Sequence, residues 1–231
     1  MPRNEPTASD RLWTAALAAV IAVTAARVAS LWLLRTELFV DEAQYWLWGQ
    51  DLDLGYYSKP PMIAWVIRAA TELAGSDAAP WVRLPAPLFH GITALLLMAA
   101  GRRLAGARVG ALTGIVYVST PLAALGSVQI STDTILFPFF ALAFLLYLRA
   151  VETRGARVAF LAGLALGLGF LAKYAAVYFA LGAVLAALAP PRARPGWQAA
   201  GAMAAGFVLA AMPNLAWNAV NGLTTVSHSA T

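Results

Sequence analysis

Apolar runs recur along this chain at Leu12–Leu34, Leu84–Ala100, Val109–Leu125, Thr134–Leu148, Val158–Ala172, Tyr174–Leu188 and Gln198–Trp217, with short polar breaks between them. A helix rises 1.5 Å per residue and a hydrocarbon core is about 30 Å thick, so roughly 20 apolar residues make one crossing. The pattern predicts seven spans. The stretch Val158–Leu188 is too long for one crossing and carries a single charge, Lys173, which predicts a tight hairpin there. The first run, preceded by Arg3 and Arg11 and containing the small pair Ala25–Ala26, also fits a cleaved signal peptide. Its resumption after Arg27, beyond signal-peptide length, favours an anchor preceded by a polar cytoplasmic tail over residues 1–11.

Between the first and second runs, about residues 35–81, no comparable apolar run occurs. Pro60–Ala74 is apolar with Arg68 and Glu72 at i and i+4, which predicts a short amphipathic helix at the membrane interface. Ahead of it stands VDEAQYWLWGQDLDLGYYSKPP, Val40–Pro61, with two adjacent acids, several Trp and Tyr, and a lysine. If Asp41–Gly49 is helical, Asp41, Tyr45 and Trp48 share one face. Amphipathic rings of this kind concentrate at the membrane boundary.

Composition narrows the class. The 231 residues are 61% hydrophobic and 12% charged, with mean hydropathy +0.69. A soluble domain carries about a quarter charged residues, so the chain is an all-α polytopic membrane protein. Its net charge of +5 resides in arginine clusters between the runs, which is orienting loop charge and no nucleic-acid footprint. With seven spans, Arg3 and Arg11, then Arg102, Arg103 and Arg108, then Arg149, Arg154 and Arg157, then Arg192 and Arg194 all fall on one side. The positive-inside rule makes that side cytoplasmic in a plasma (inner) membrane. Asp41, Glu42, Asp51, Asp53, Lys59, Asp133, Lys173 and His228 collect on the opposite, extracytoplasmic face. The absence of cysteine excludes disulfides and thiolate metal sites, and no spacing amounts to a metal motif.

Only two lysines occur among 16 basic residues. Lys59 precedes Pro60–Pro61, which pushes its backbone to extended geometry and suits it as a point charge for a phosphate. Lys173, a lone lysine at a span end, fits a snorkelling residue that marks the hairpin better than a ligand. Asp133, in STDTILF, is either the N-cap of the fourth span or a functional acid. Desolvation beside the aromatic rings would raise the pKa of the Asp41–Glu42 pair towards that of a base. His90, inside an apolar run, reads as a packed, hydrogen-bonded histidine. Together, acids and lysines on one membrane-level face suit sugar transfer from a lipid phosphate, which needs a base for the acceptor and fixed positive charge for the departing phosphate.

DEAQYWLWGQDLDLGYYSKPPMIAW, followed by WVRLPAPLF, STDTILF and GLGFLAKYAAVYF, resembles the N-terminal half of polyprenyl-phosphate-dependent glycosyltransferases of the GT-C fold, the protein O-mannosyltransferase-like and lipid A aminoarabinose transferase-like enzymes. The resemblance runs from about Leu12 to His228, and implies that 12–231 is a GT-C-like catalytic module, incomplete at its C-terminus. It implies an inverting enzyme with a polyprenyl-phosphate sugar donor, a lipid, glycan or protein acceptor, and no nucleic-acid partner. In it Asp41, with Glu42 beside it, would activate the acceptor, Lys59 and Lys173 would face the donor phosphate, and Asp133 would be a supporting acid. Tyr45 and Tyr57 are candidates for further substrate contacts. His228 corresponds to a histidine that, with a Glu before the loop lysine, serves a metal in aminoarabinose transferases. Ser58 stands where that Glu would be, so the sequence leaves a divalent metal open without requiring it. Two other readings stay open: a transporter or flippase subunit for a lipid-linked substrate, and an inactive truncated scaffold. Charges at span ends and the absence of an internal repeat speak against the transporter.

Overall fold

The computed structural model describes residues 7–188, 194–223 and 225, and every regular element among them is helical. The helices are α1 (Ala8–Ser30), α2 (Val40–Gln50), α3 (Met62–Ala74), α4 (Ala79–Arg83), α5 (Pro85–Ser119), α6 (Pro121–Gly126), α7 (Thr132–Thr153), α8 (Ala156–Ala172), α9 (Val177–Leu188) and α10 (Trp197–Val220). A 3-10 turn, Tyr174–Ala176, joins α8 to α9.

Four helical stretches are long and apolar enough to cross a membrane, Ala8–Ser30, Ala79–Ser119, Thr132–Thr153 and Trp197–Val220, and two shorter apolar ones are Ala156–Ala172 and Tyr174–Ala186. The 41-residue stretch is broken into two helical arms. Ala105 and Gly106 leave helical geometry, with φ +86° at Gly106, a conformation that favours glycine. The chain doubles back there, and a Cβ on Gly110 would lie 2.7 Å from Arg102 N. This is the break predicted between Ala100 and Val109. The run expected to continue to Leu125 instead stops at Ser119, because Thr120 caps a new helix through Ala123 N (3.3 Å) and Pro121 occupies its first turn.

The reversal at Lys173 is also present: its backbone is extended (φ −159°, ψ 136°), and Phe179 six residues later lies against Phe140 and Tyr147 of α7. α8 lies between α7 and α10, and its contact with α10 is made by small residues. A Cβ on Gly167 would meet Phe207 O at 2.7 Å, and one on Gly206 would meet Leu164 N at 2.9 Å, so these backbones touch directly.

Arg102 stacks over the Trp13 ring (4.8 Å), and Arg103 pairs with Glu152. The start of α1, the turn in α5 and the end of α7 therefore share one arginine-rich end. At the opposite end lies the first loop with α2, α3 and α4. α3 is the amphipathic helix expected: Met62, Ile63, Ala64, Ile67 and Thr71 are buried, and Arg68 pairs with Glu72 at 2.6 Å.

That end is organised around a buried ion pair. Glu42 is wholly buried and receives Arg83 Nη2 at 2.7 Å and Arg83 Nε at 3.0 Å. Phe39 N and Ile130 N, both at 3.0 Å, donate to the same carboxylate. Arg83 gives its remaining donors to Thr36 O and Glu37 O. Four segments, before α2, within α2, in α4 and before α7, are thus held at one point.

Candidate active site

Asp133 and Lys173, 40 residues apart in sequence, meet at this end. Lys173 Nζ donates to both Asp133 oxygens, at 2.7 and 2.8 Å, and both side chains remain partly exposed. The cap of α7 is Ser131, whose hydroxyl accepts from Thr134 N at 3.2 Å. Asp133 is consequently not the cap, and its carboxylate is directed to the lysine. Lys173 stands where α8 breaks, which is why a single charge at the end of an apolar helix reaches sideways to its neighbour.

Lys59 lies on the same groove. Tyr56 N donates to Lys59 O (3.1 Å), closing a turn over Tyr56–Lys59, and Pro60 is buried behind it. The groove, about 480 Å³, is lined by Ser58, Lys59, Pro60, Lys173, Tyr174 and Tyr178. Among the described residues the Lys59 ammonium has no ion-pair partner, so the groove presents one unpaired cation and one cation held by a carboxylate.

The adjacent acids of α2 point apart. Asp41 is exposed in its first turn, whereas Glu42 faces inward. The grouping of Glu42 with the catalytic acids is corrected here: each of its oxygens accepts from Arg83 and from a backbone N–H, which fills the roughly four acceptor positions of a carboxylate. No position remains for a substrate. Tyr45 is buried beneath Asp41, and its phenol is pushed up to about 12, first by burial and then by the charges of Asp41 and Asp133. The tyrosine therefore lies within electrostatic reach of both acids. Trp48 tilts against Tyr45 and stacks on Tyr56 (4.8 Å, 6°). Burial likewise raises the Tyr56 phenol, which accepts from Asp53 N and lies 2.9 Å from Trp48 O.

Tyr57 is exposed, and His228 lies outside the described residues. No cluster of three or more His, Asp or Glu side chains that could hold a metal occurs among the described residues. His90 is packed as expected, with Nδ1 2.8 Å from the Tyr117 hydroxyl.

Sequence reasoning missed four supporting groups. Arg83 was legible only as part of WVRLP, not as the partner of Glu42. Asn214, Asn218 and the Tyr174 hydroxyl form a buried polar cluster against the first loop. Asn214 and Asn218 sit at i and i+4 in an otherwise apolar run, and that spacing was the available signal.

An all-helical membrane bundle with a first loop of short helices is consistent with the GT-C class of architecture. Residues 58–217 match the family described as dolichyl-phosphate-mannose-protein mannosyltransferase, and the chain belongs to that family of membrane glycosyltransferases. It is 47% identical over 210 residues to the lipid A galacturonosyltransferase RgtD of Rhizobium johnstonii, covering 91% of this chain and 44% of that protein. The chain thus spans less than half the length of this curated relative. No solved structure matches the chain.

Proposed function

We propose that this chain forms the donor-binding and catalytic face of an inverting glycosyltransferase that moves a sugar from a polyprenyl phosphate to an acceptor on the extracytoplasmic side of the plasma membrane. The observation that carries the reading is the groove lined by both Lys59, without an ion-pair partner among the described residues, and Lys173, which Asp133 holds. Lys59 and Lys173 contact the donor phosphate. Asp133 keeps Lys173 aimed, a positioning duty that suits a partly exposed pair whose own contribution to stability is about 0–1 kcal/mol. Asp41 takes the proton of the acceptor hydroxyl as that oxygen bonds to the anomeric carbon. The bond from that carbon to the phosphate oxygen breaks, and its electron pair leaves on the phosphate, between the lysines. Tyr57, which is exposed, is a further substrate contact, whereas Tyr45 is buried and supports α2 behind the acid. Glu42 holds α2 in place and takes no part in the proton transfer.

The arginine-rich end faces the cytoplasm on this reading, because positive charge is retained there. Identity to a protein named for galacturonosyl transfer to lipid A supports a uronosyl donor and a lipid A-like glycolipid acceptor. The test is transfer from a panel of radiolabelled polyprenyl-phosphate sugars, galacturonosyl included, by membranes expressing the gene. Transfer that is lost in Asp41→Asn supports the reading. Normal turnover by that variant refutes the base, and no transfer from any donor by folded protein turns the reading to a transporter or scaffold.

A further inference from the structure

Both walls of the lysine groove are tied to one side chain that does not line it. Asn214, fully buried on α10, donates through Nδ2 to Leu54 O at 2.8 Å and accepts through Oδ1 from the Tyr174 hydroxyl at 2.9 Å. Leu54 belongs to the loop that presents Lys59, and Tyr174 follows Lys173 in the chain. The loop has no slack at this point: a Cβ on Gly55 would lie 2.7 Å from Trp217 Cδ2 and 2.9 Å from Asn214 Nδ2, so the backbone rests on the face of α10. The Tyr56–Lys59 turn follows immediately, and Thr225 Oγ1 donates to Tyr56 O at 2.5 Å. On the other wall Asn218 Nδ2 donates to the Tyr174 hydroxyl (3.1 Å), which orients its proton towards Asn214. Among the described residues Asn218 Oδ1 has no hydrogen-bond partner, and the amide acts on Tyr174 through its donor side.

We infer that Asn214 is a positioning residue that sets the separation of Lys59 from Lys173 and thereby the fit of the groove to a phosphate group. The amide is suited to this because it is donor and acceptor at once: a carboxylate or an aliphatic side chain of similar size keeps at most one of the two links. The inference rests on the proposed role of the two lysines for its consequence in catalysis, and on geometry alone for the separation.

The two parts are measured separately. Because the chain has no cysteine, thiols placed at Ser58 and Tyr178, which both line the groove, can carry a unique pair of spin labels. Pulsed dipolar spectroscopy on the purified protein then reads the groove's width with Asn214, with Asn214→Asp and with Tyr174→Phe. A shifted or broadened distance distribution in both variants is the expected result. An unchanged distribution in folded variants overturns the inference. Where Asn214→Asp does not accumulate, Tyr174→Phe, which removes one oxygen, decides alone. In the background without added cysteines, loss of one positioning bond should raise the KM for the lipid-phosphate donor about tenfold while kcat changes little. A uniform fall in kcat with KM unchanged overturns the positioning role. If the parent transfers nothing while the distances move, the glycosyltransferase reading fails and the positioning inference stands.

Discussion

Replacing Glu42 by alanine should separate two neighbouring acids by their effects on different quantities. Glu42 is wholly buried, and its removal leaves the Arg83 guanidinium, itself buried, without a counter-charge. Breaking a buried pair from one side costs about 3–5 kcal/mol. Phe39 N and Ile130 N lose their acceptor as well, at about 1–3 kcal/mol each where water cannot follow. Taking only the ion-pair part, the melting temperature should fall by roughly 6–20 °C for a chain of this size. Asp41, one residue earlier, is exposed, and Asp41→Asn should change stability by less than about 0.5 kcal/mol. The assay is fluorescence-detected size-exclusion after a temperature series in mild detergent, with donor transfer measured on the same membranes. Glu42→Ala that melts within a degree or two of the parent would refute the assignment of Glu42 to architecture. So would a stable Glu42→Ala protein that had lost transfer alone.

Lys173→Met removes one member of a partly exposed pair, so its melting temperature should shift by under about 1 kcal/mol equivalent while donor transfer is lost; retained transfer refutes the phosphate role. Gly206→Leu drives a side chain into the backbone of α8, and overpacking there should lower stability by about 1–3 kcal/mol, measured by the same thermal series. The Tyr45 phenol is held at about 12 against a usual 10.0, so the fold favours its neutral form. That contribution is complete below pH 10 and is lost as pH rises through about 12. Tyr45→Phe should therefore lose less stability than the parent on moving from pH 8 to about pH 11.5, and identical alkaline profiles would refute it.

The span pattern was readable because apolar runs and arginine clusters are additive along the chain, and the turn at Ala105–Gly106 fell where the arginines indicated. The end of the third run was misjudged because a hydropathy average passes over Thr120–Pro121, where one cap and one missing N–H stop a helix regardless of what surrounds them. Asp133 and Lys173 were recognisable as charges at span ends. Their pairing was not, since it depends on α7 and α8 packing side by side and on Ser131 taking the cap. The Asp41–Glu42 pair shows the limit most clearly. Successive helical residues point about 100° apart, so the two acids cannot share one direction, and Arg83, 41 residues after Glu42, draws the second inward. Asn214 and Asn218 were hidden because two amides scarcely lower the apolarity of a 24-residue helix.

The bond from Asn214 to Leu54 O spans 160 residues. During synthesis at about 5–20 residues per second, the loop bearing Lys59 waits roughly 8–30 s before its anchor on α10 is made. The spans up to α9 can insert and pair in that interval while the lysine groove still lacks this tie to α10. A nascent chain arrested before α10 would consequently hold α2 and α4 through the Glu42–Arg83 pair, while the Leu54–Lys59 segment still lacked its anchor until α10 arrived.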